Sequence, residues 1–334
     1  KSGKIDEIYG ENGFNKCFTK SSNNKYSYKK DIPDFLDFKI LQNYSCKIKS
    51  IIESINESDG IVFIYSNWLY SGILPLVLAL ERNGYQKYDN VSVFNGEKSK
   101  PISYDGKTGK DIVSAKYMVV AGDSLKLTNN FEKELKVATS EENKNGELIK
   151  VVIGSSVAAE GLDFKNIRCI HLLEPWHNIN KLEQVIGRGI RNYSHFMLEP
   201  EKRNITIYLH TTEYEDKETI ETYLYRRCEK KAKQIGQLEL ILKEMAIDKY
   251  LFQNANIIKE SDLDEITIQR SLRDSEVYKV KPYDLPYSRS CSFLEDCQYI
   301  KNNSFKITDE IIDKSNKTTF SIEHSQSLID IYKI

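Results

Sequence analysis

Apolar residues in this chain gather in short runs separated by polar stretches, and two kinds of spacing alternate along it. Runs at Ile61 to Tyr65, Val91 to Phe94, Tyr117 to Ala121, Val151 to Ile153, Cys169 to Leu172 and Ile205 to Leu209 are three to five residues long, the signature of buried strands. Between them the period changes. Ile48, Ile51, Ile52 and Ile55 predict a helix within Ser45 to Ile55 that leads into the first strand, and Leu74 to Leu80 predicts an apolar helix after it. This alternation argues for an α/β fold: a parallel sheet with helices on both faces. The segments Lys98 to Lys110 and Thr139 to Gly146 read as polar loops. After His210, Ile220, Leu224, Cys228, Ala232, Ile235, Leu238, Leu242 and Met245 recur every three or four residues, which predicts one long amphipathic helix. Its stripe is expected to pack on the chain's own sheet, with a partner-binding surface as the alternative. Residues 1 to about 40, rich in Lys, Asn, Ser and Tyr, keep no period and are expected to include a flexible or inserted segment. Beyond Glu260 the pattern weakens into short mixed segments.

Composition narrows the class. A chain of 334 residues, 40% hydrophobic and 29% charged, can bury a full core as one large or two modest domains. A net charge of -1 gives no global basic field, so attraction to nucleic acid would rest on local clusters such as Arg226-Arg227 and Lys230-Lys231. A run of that kind is ordinarily a solvated helix face. No stretch of about 18 apolar residues occurs, which argues against a membrane span. The first residues carry neither a signal nor a transit pattern. The six cysteines are scattered and read as free thiols of a reducing compartment. Cys291 and Cys297 make at most half a metal site.

The chemistry concentrates in two stretches. In Gln184-Val185-Ile186-Gly187-Arg188-Gly189-Ile190-Arg191 the two arginines stand three positions apart, so on a helix they share a face and can reach one ligand together. Their planar forks suit phosphate oxygens. Twenty-odd residues earlier, the apolar run Lys150 to Ile153 ends in Gly154-Ser155-Ser156-Val157-Ala158-Ala159-Glu160-Gly161-Leu162-Asp163. Small residues there allow close backbone approach, Ser155 and Ser156 offer hydroxyls, and Gly161 before Asp163 can place a carboxylate at a tight bend. A phosphate loop is missing. Pro101-Ile102-Ser103-Tyr104-Asp105-Gly106-Lys107-Thr108 mimics one, but proline occupies the first glycine's place and no apolar strand leads into it. Asp264-Glu265 and Asp309-Glu310 likewise follow no buried strand.

In that order of parts the sequence resembles the second RecA-like domain of superfamily 2 helicases, with Ser155 to Asp163 as motif V, Gln184 to Arg191 as motif VI, and Gly60 to Trp68 as motif IV. Within the superfamily it is most similar to the helicases and nucleoside triphosphatases of large cytoplasmic DNA viruses, the group of the poxvirus early transcription factor small subunit and nucleoside triphosphatase I. Ile64 to Trp68, Leu173-Glu174-Pro175-Trp176, Ile190 to His195 and Leu242 to Asp248 carry that likeness, which covers roughly Tyr44 to Asn256. The resemblance implies a RecA-like sheet followed by a helical extension. Its implied parts are residues 1–43 as an insertion or linker from a first RecA-like domain, 44–212 as the second, 213–260 as the long helical extension and 261–334 as an appendage.

The resemblance also implies roles. Arg191 is the arginine finger, Arg188 a second contact to the γ-phosphate, and Gln184 lies near the attacking water. Gly161, Asp163 and Gly187 serve ATP binding, with Asp163 reaching a ribose hydroxyl or an arginine. Ser66, Asn67, Ser155 and Ser156 face the nucleic-acid backbone. ATP is the implied cofactor, with Mg2+ held by the first RecA-like domain, and no metal ligand is expected in this chain. Trp68 and Trp176 follow strand ends, where each could stack on a base or serve as a packing wedge. The expected function is thus the carboxyl-terminal half of an ATP-dependent helicase or translocase, an enzyme of the EC 3.6.4 type, inactive as this fragment alone. Its expected partners are nucleic acid, DNA before RNA, the first RecA-like domain and viral transcription machinery, inside the cell, in a virion or host cytoplasm. A double-stranded DNA translocase that does not unwind, and a non-catalytic scaffold for transcription proteins, are the alternatives.

Overall fold

The computed structural model describes residues 7–106, 112–121, 127, 130–156, 162–246, 249, 258, 266–269, 277–280 and 283–295. The chain divides into two compact units, residues 1–229 with 270–276 and residues 230–269 with 277–334.

The first unit is built on six parallel strands: β3 (Ile61–Tyr65), β4 (Gln86–Lys87), β5 (Lys116–Val120), β6 (Val151–Gly154), β7 (Ile167–Leu172) and β8 (Thr206–Leu209), in the order β4-β5-β6-β3-β7-β8. Alternation along β3 sends its side chains to opposite faces. Val62 and Ile64 join one core with α2 (Cys46–Glu57) and α3 (Leu74–Arg82), whereas Ile61, Phe63 and Tyr65 join another with α4 (Phe131–Ala138) and α5 (Ile179–Ile186). Helices therefore cover both faces, and the sheet is RecA-like as expected. Ser45 starts α2 as a cap, its Oγ accepting the Ile48 amide at 3.2 Å.

Two expectations change here. The described part of the amino-terminal segment is folded onto the core: α1 (Gly10–Cys17) and the antiparallel pair β1 (Phe18–Lys20) and β2 (Tyr26–Tyr28) bring Phe14, Phe18 and Tyr26 into the same cluster as α2 and α3, along with Leu36 and Leu41. Arg82 fastens it, pairing with Asp34 and Asp37 at 2.6 Å each. Val91 to Phe94 is not a strand; β4 lies upstream at Gln86–Lys87. The amides of Val93 and Phe94 go instead to the buried carboxylate of Glu81, both at 2.9 Å. Lys98, Ser92 and the Tyr117 hydroxyl donate to it as well. Burial alone would raise the Glu81 pKa, but these donors hold it below the usual carboxylate range.

The long helix forms as α6 (Ile220–Met245), and the boundary between the units falls inside it. Only part of the predicted stripe is its buried side. Cys228, Ala232 and Gly236 are buried, while Ile235, Leu238, Leu242 and Met245 are exposed. Small residues decide this: within the second unit a side chain on Gly236 would strike the Ser292 carbonyl at 1.7 Å. That unit also contains the antiparallel pair β9 (Ile266–Gln269) and β10 (Val277–Val280). Cys17, Cys46, Cys169 and Cys228 are free thiols, but Cys291 is disulfide-bonded, which corrects the expectation of six free cysteines and removes it as a thiolate ligand.

Candidate functional site

The sheet order reverses around β3. The chain leaves β3 for the far edge, returns through β5 and β6 to lie beside it, then crosses to β7 on its other flank. Crevices beyond the carboxyl ends of strands at such a switch point are where open α/β sheets bind ligands. The predicted residues Ser66, Asn67, Ser155 and Ser156 follow the ends of β3 and β6 at this place.

Helix α5 buries Leu182 and Val185 and leaves Gln184 exposed. The helix ends at Ile186, so the two arginines do not sit on a continuous helix as the spacing suggested. They stand in the tightened turn that follows, where Arg188 N donates to Val185 O and Gly189 N to Ile186 O. Gly189 lets this turn lie on β7: a Cβ there would come within 3.0 Å of Ile170 and 3.3 Å of Ile167. Arg191 is aimed by its own helix end, Nε donating to the Gly187 carbonyl at 3.1 Å.

The 162–164 segment is fastened to the same turn. Phe164 N donates to Arg188 O at 3.1 Å, and Arg188 Nη1 reaches the Leu162 carbonyl at 3.4 Å. Asp163 Oδ1 then lies 2.5 Å from Arg191 Nη1 and 4.0 Å from Arg188 Nη1. Of the two partners expected for Asp163, this is the arginine. Arg191 and Asp163 are 43% and 58% exposed, and a pair so open contributes about 0–1 kcal/mol, too little to explain it as a fold-stabilising contact. The pair sets the Arg191 guanidinium against Asp163 at the surface. Gly161 lies outside the described residues.

At the end of β3 the structure corrects one placement. Ser66 is fully buried, and its hydroxyl turns inward to donate to Glu174 Oε1 at 2.7 Å instead of facing outward. Ser155 is buried too, whereas Ser156 is exposed and Asn67 partly so. Glu174, just past β7, also accepts the Asn67 amide at 3.2 Å. Burial pushes its pKa up to about 6; the Ser66 hydroxyl, the Asn67 amide and nearby Lys47 limit the rise. Lys47 itself donates to Leu173 O and pairs with Glu221 of α6. Gly72 makes room, since a Cβ there would meet Ser66 Oγ at 2.0 Å. Sequence reasoning missed this lock; a carboxylate placed directly after an apolar strand was the available signal. The tryptophans separate: Trp176 packs against the core, while Trp68 is exposed.

The loop after the arginines is also tied down. Ser194 Oγ accepts the Arg191 amide at 3.2 Å and bonds His195 Nδ1 at 2.8 Å, while His195 Nε2 meets the Ile167 carbonyl at 2.6 Å. That carbonyl can only accept, so Nε2 carries a proton.

The family model described as the helicase conserved C-terminal domain matches residues 108–193, the span that holds Asp163, Gln184, Arg188 and Arg191. Over 249 residues the chain is 31% identical to a putative ATP-dependent RNA helicase, L377, of Acanthamoeba polyphaga mimivirus, covering 66% of this chain and 22% of that one. It is 31% identical over 185 residues to the termination factor NPH-I homolog of African swine fever virus, with 51% and 26% covered. It is 26% identical over 343 residues to nucleoside triphosphatase I of Choristoneura biennis entomopoxvirus, with 97% and 48% covered. Residues 108–193 thus carry a helicase conserved C-terminal domain, and the chain is similar to helicases and nucleoside triphosphatases of large DNA viruses. It spans about a fifth to a half of the length of these relatives. Two of these relatives are named as a putative ATP-dependent RNA helicase and a nucleoside triphosphatase. Among the described residues no helix is long and apolar enough to cross a membrane, and no group of three or more His, Cys, Asp or Glu could hold a metal ion, so none is assigned to Mg2+.

Proposed function

We propose that this chain is the carboxyl-terminal motor half of an ATP-dependent helicase or translocase, and that Arg191 and Arg188 act on ATP from across a cleft. The observation that carries the reading is the Asp163–Arg191 pair at 2.5 Å, with Arg188 beside it, set on the turn that Gly189 holds against β7. Paired guanidiniums fit a γ-phosphate by charge and by fork geometry. Asp163 keeps them oriented until a triphosphate, or its ribose, takes its place. Gln184, exposed one turn before Arg188, would meet an attacking water. Bound ATP would supply the phosphoryl group, with Mg2+ and the β-phosphate ligands coming from another RecA-like domain. Cleft closure would then shift the strand-end loops at Asn67 and Ser156 along a nucleic-acid backbone.

In the intact protein, Arg191→Ala is expected to lower ATP hydrolysis by a thousandfold or more while nucleotide affinity changes little. Wild-type turnover in that variant would remove Arg191 from the role. Purified by itself, the 334-residue chain is expected to show no turnover, and robust hydrolysis would overturn the two-domain reading.

A second reading, a duplex DNA translocase serving transcription without strand separation, is favoured by the likeness to the NPH-I homolog, which is named as a termination factor. Displacing a triplex-forming strand without unwinding a forked duplex would select it. Relatives named as putative RNA helicases make a matched RNA substrate part of the same assay. The non-catalytic scaffold is disfavoured by the intact arginine and aspartate set.

A further inference from the structure

We propose that Trp68 is a base-stacking residue, its indole a platform for an unpaired base of the nucleic-acid strand, held in place by the hydrogen bond from Ser66 to Glu174. The inference rests on the nucleic-acid reading above and names a contact and a substrate form that it leaves open. Trp68 is 58% exposed although its backbone is clamped. Its amide donates to Ser66 Oγ at 3.1 Å, and its carbonyl accepts the Ile73 amide at 2.9 Å. Ser66 in turn is fixed twice: its hydroxyl donates to Glu174 Oε1, and its amide donates to the carbonyl of Gly154, the last residue of β6. A large ring on mobile backbone can fold back onto apolar surface. Here the backbone is fixed, and the ring stands out beside the switch point.

The surroundings suit a strand better than a protein face. Ser66 and Gly154 join the ends of β3 and β6, and the residues that follow on the two strands include Asn67 and the exposed Ser156, small polar groups able to meet phosphate or sugar. Asn67 is itself oriented, since its Oδ1 accepts the Tyr65 hydroxyl at 2.8 Å and its amide is held by Glu174. The one carboxylate of the lock is turned inward and engaged, so it does not repel a polyanion from the surface. The chain is followed at once by a five-residue π-helical turn, Leu69–Ile73, a wide turn that carries Gly72 against Ser66. A fixed aromatic ring next to polar hydrogen-bonding groups is how sequence-tolerant single-strand sites are built, because every base has a π-face.

The test compares equilibrium binding of the intact protein to a dT oligonucleotide and to an abasic oligonucleotide of equal length, for the wild type, Trp68→Ala and Trp68→Phe. Wild type is expected to prefer the strand with bases. Trp68→Ala is expected to weaken dT binding roughly 5- to 150-fold, leave abasic binding unchanged and so erase the preference, with Trp68→Phe restoring much of it. Glu174→Ala, which frees the loop but keeps the ring, should erase part of the preference. Equal wild-type binding to both strands, or an unaltered preference in Trp68→Ala, would overturn the inference while leaving the helicase reading in place. Equal loss on both strands that Trp68→Phe does not rescue would assign the ring a structural role and also overturn it. Failure of the wild type to bind any strand would instead remove the nucleic-acid reading on which the proposal stands.

Discussion

Two clusters of charged residues sit at helix ends in this molecule, and they are built in opposite ways. At the end of α3, Glu81 and Arg82 are buried, 1% and 6% exposed, and each is surrounded by partners: amides, hydroxyls and Lys98 for Glu81, two aspartates and Ser99 for Arg82. At the end of α5, Arg188 and Arg191 share one exposed aspartate. The same residue types thus make a closed set that fixes the chain's path and a set that leaves the Arg191 guanidinium and Asp163 exposed at the surface. Full satisfaction is what a structural charge needs, because an uncompensated buried charge is severely unfavourable. A cation exposed at the surface is what a ligand site needs.

Substitutions in the two clusters should therefore part company. The largest expected effect is on rate: Arg191→Ala should cut ATP turnover by a thousandfold or more yet leave the thermal midpoint unchanged, since the pair it breaks is exposed. A large drop in that midpoint would erase the distinction. Next comes Glu81→Ala, expected to destabilise by about 3–5 kcal/mol in urea unfolding because it strands the buried amides of Val93 and Phe94 and the buried Tyr117 hydroxyl. At a temperature where this variant is still folded, ATP turnover should be near normal.

A third closed set extends the comparison to pH. His171 Nδ1 and His210 Nε2 lie 2.8 Å apart, stacked beside Tyr208. Burial pushes their pKa values down to about 3 and about 4, with the second ring adding to the drop at His171 and Lys47 at His210. Both are depressed below the ordinary histidine value, so their stabilising contribution is complete above pH 6.5 and is lost as pH falls toward the folded values. The two histidines should remove up to about 2.7 kcal/mol per pH unit from pH 6.5 toward 4, offset between about 6 and 4.5 by Glu174, whose raised pKa acts in the opposite sense; His171→Phe should remove about half of the histidine part in unfolding titrations. The smallest effect concerns no charge at all: Ser45→Ala, by removing the α2 cap, should lower stability by about 1 kcal/mol with turnover unaffected.

How much of this could be read from sequence depends on where each residue finds its partners. Ile61 to Tyr65 was legible as a strand because all five residues are apolar and buried from both sides, and the structure ends it at the same residues. Val91 to Phe94 had a similar look, yet its amides were claimed by Glu81, more than ten residues back, and no local pattern announces that. Gln86–Lys87 was invisible as a strand because it is two residues long at the sheet's edge. At the site, the arginines and Asp163 were legible from residue type and order, but their placement past the helix end was not, since Gly187 and Gly189 tighten the turn. Ser66 was misplaced for the same reason as Val93: the group that turns it inward, Glu174, is 108 residues away along the chain. The α6 stripe held at Cys228 and Ala232 but misled from Ile235 onward, where the close approach is made by Gly236, a residue that does not register in a hydrophobic pattern.

The position of β3 has a consequence for how the chain is made. It is central in the sheet, yet its two neighbours come later: Val62 pairs with Val151 on one side and with Cys169 on the other. At about 5–20 residues per second on a ribosome, the first of those partners follows β3 by roughly 5–20 seconds. Throughout that interval Ile61-Val62-Phe63-Ile64-Tyr65 is an apolar strand with both edges unpaired, and only α2 and α3 are at hand to cover one of its faces. Such a segment is the place where a nascent chain would seek a chaperone or aggregate. Slowing translation between residues 65 and 151 should therefore lower the soluble yield more than slowing it after residue 172.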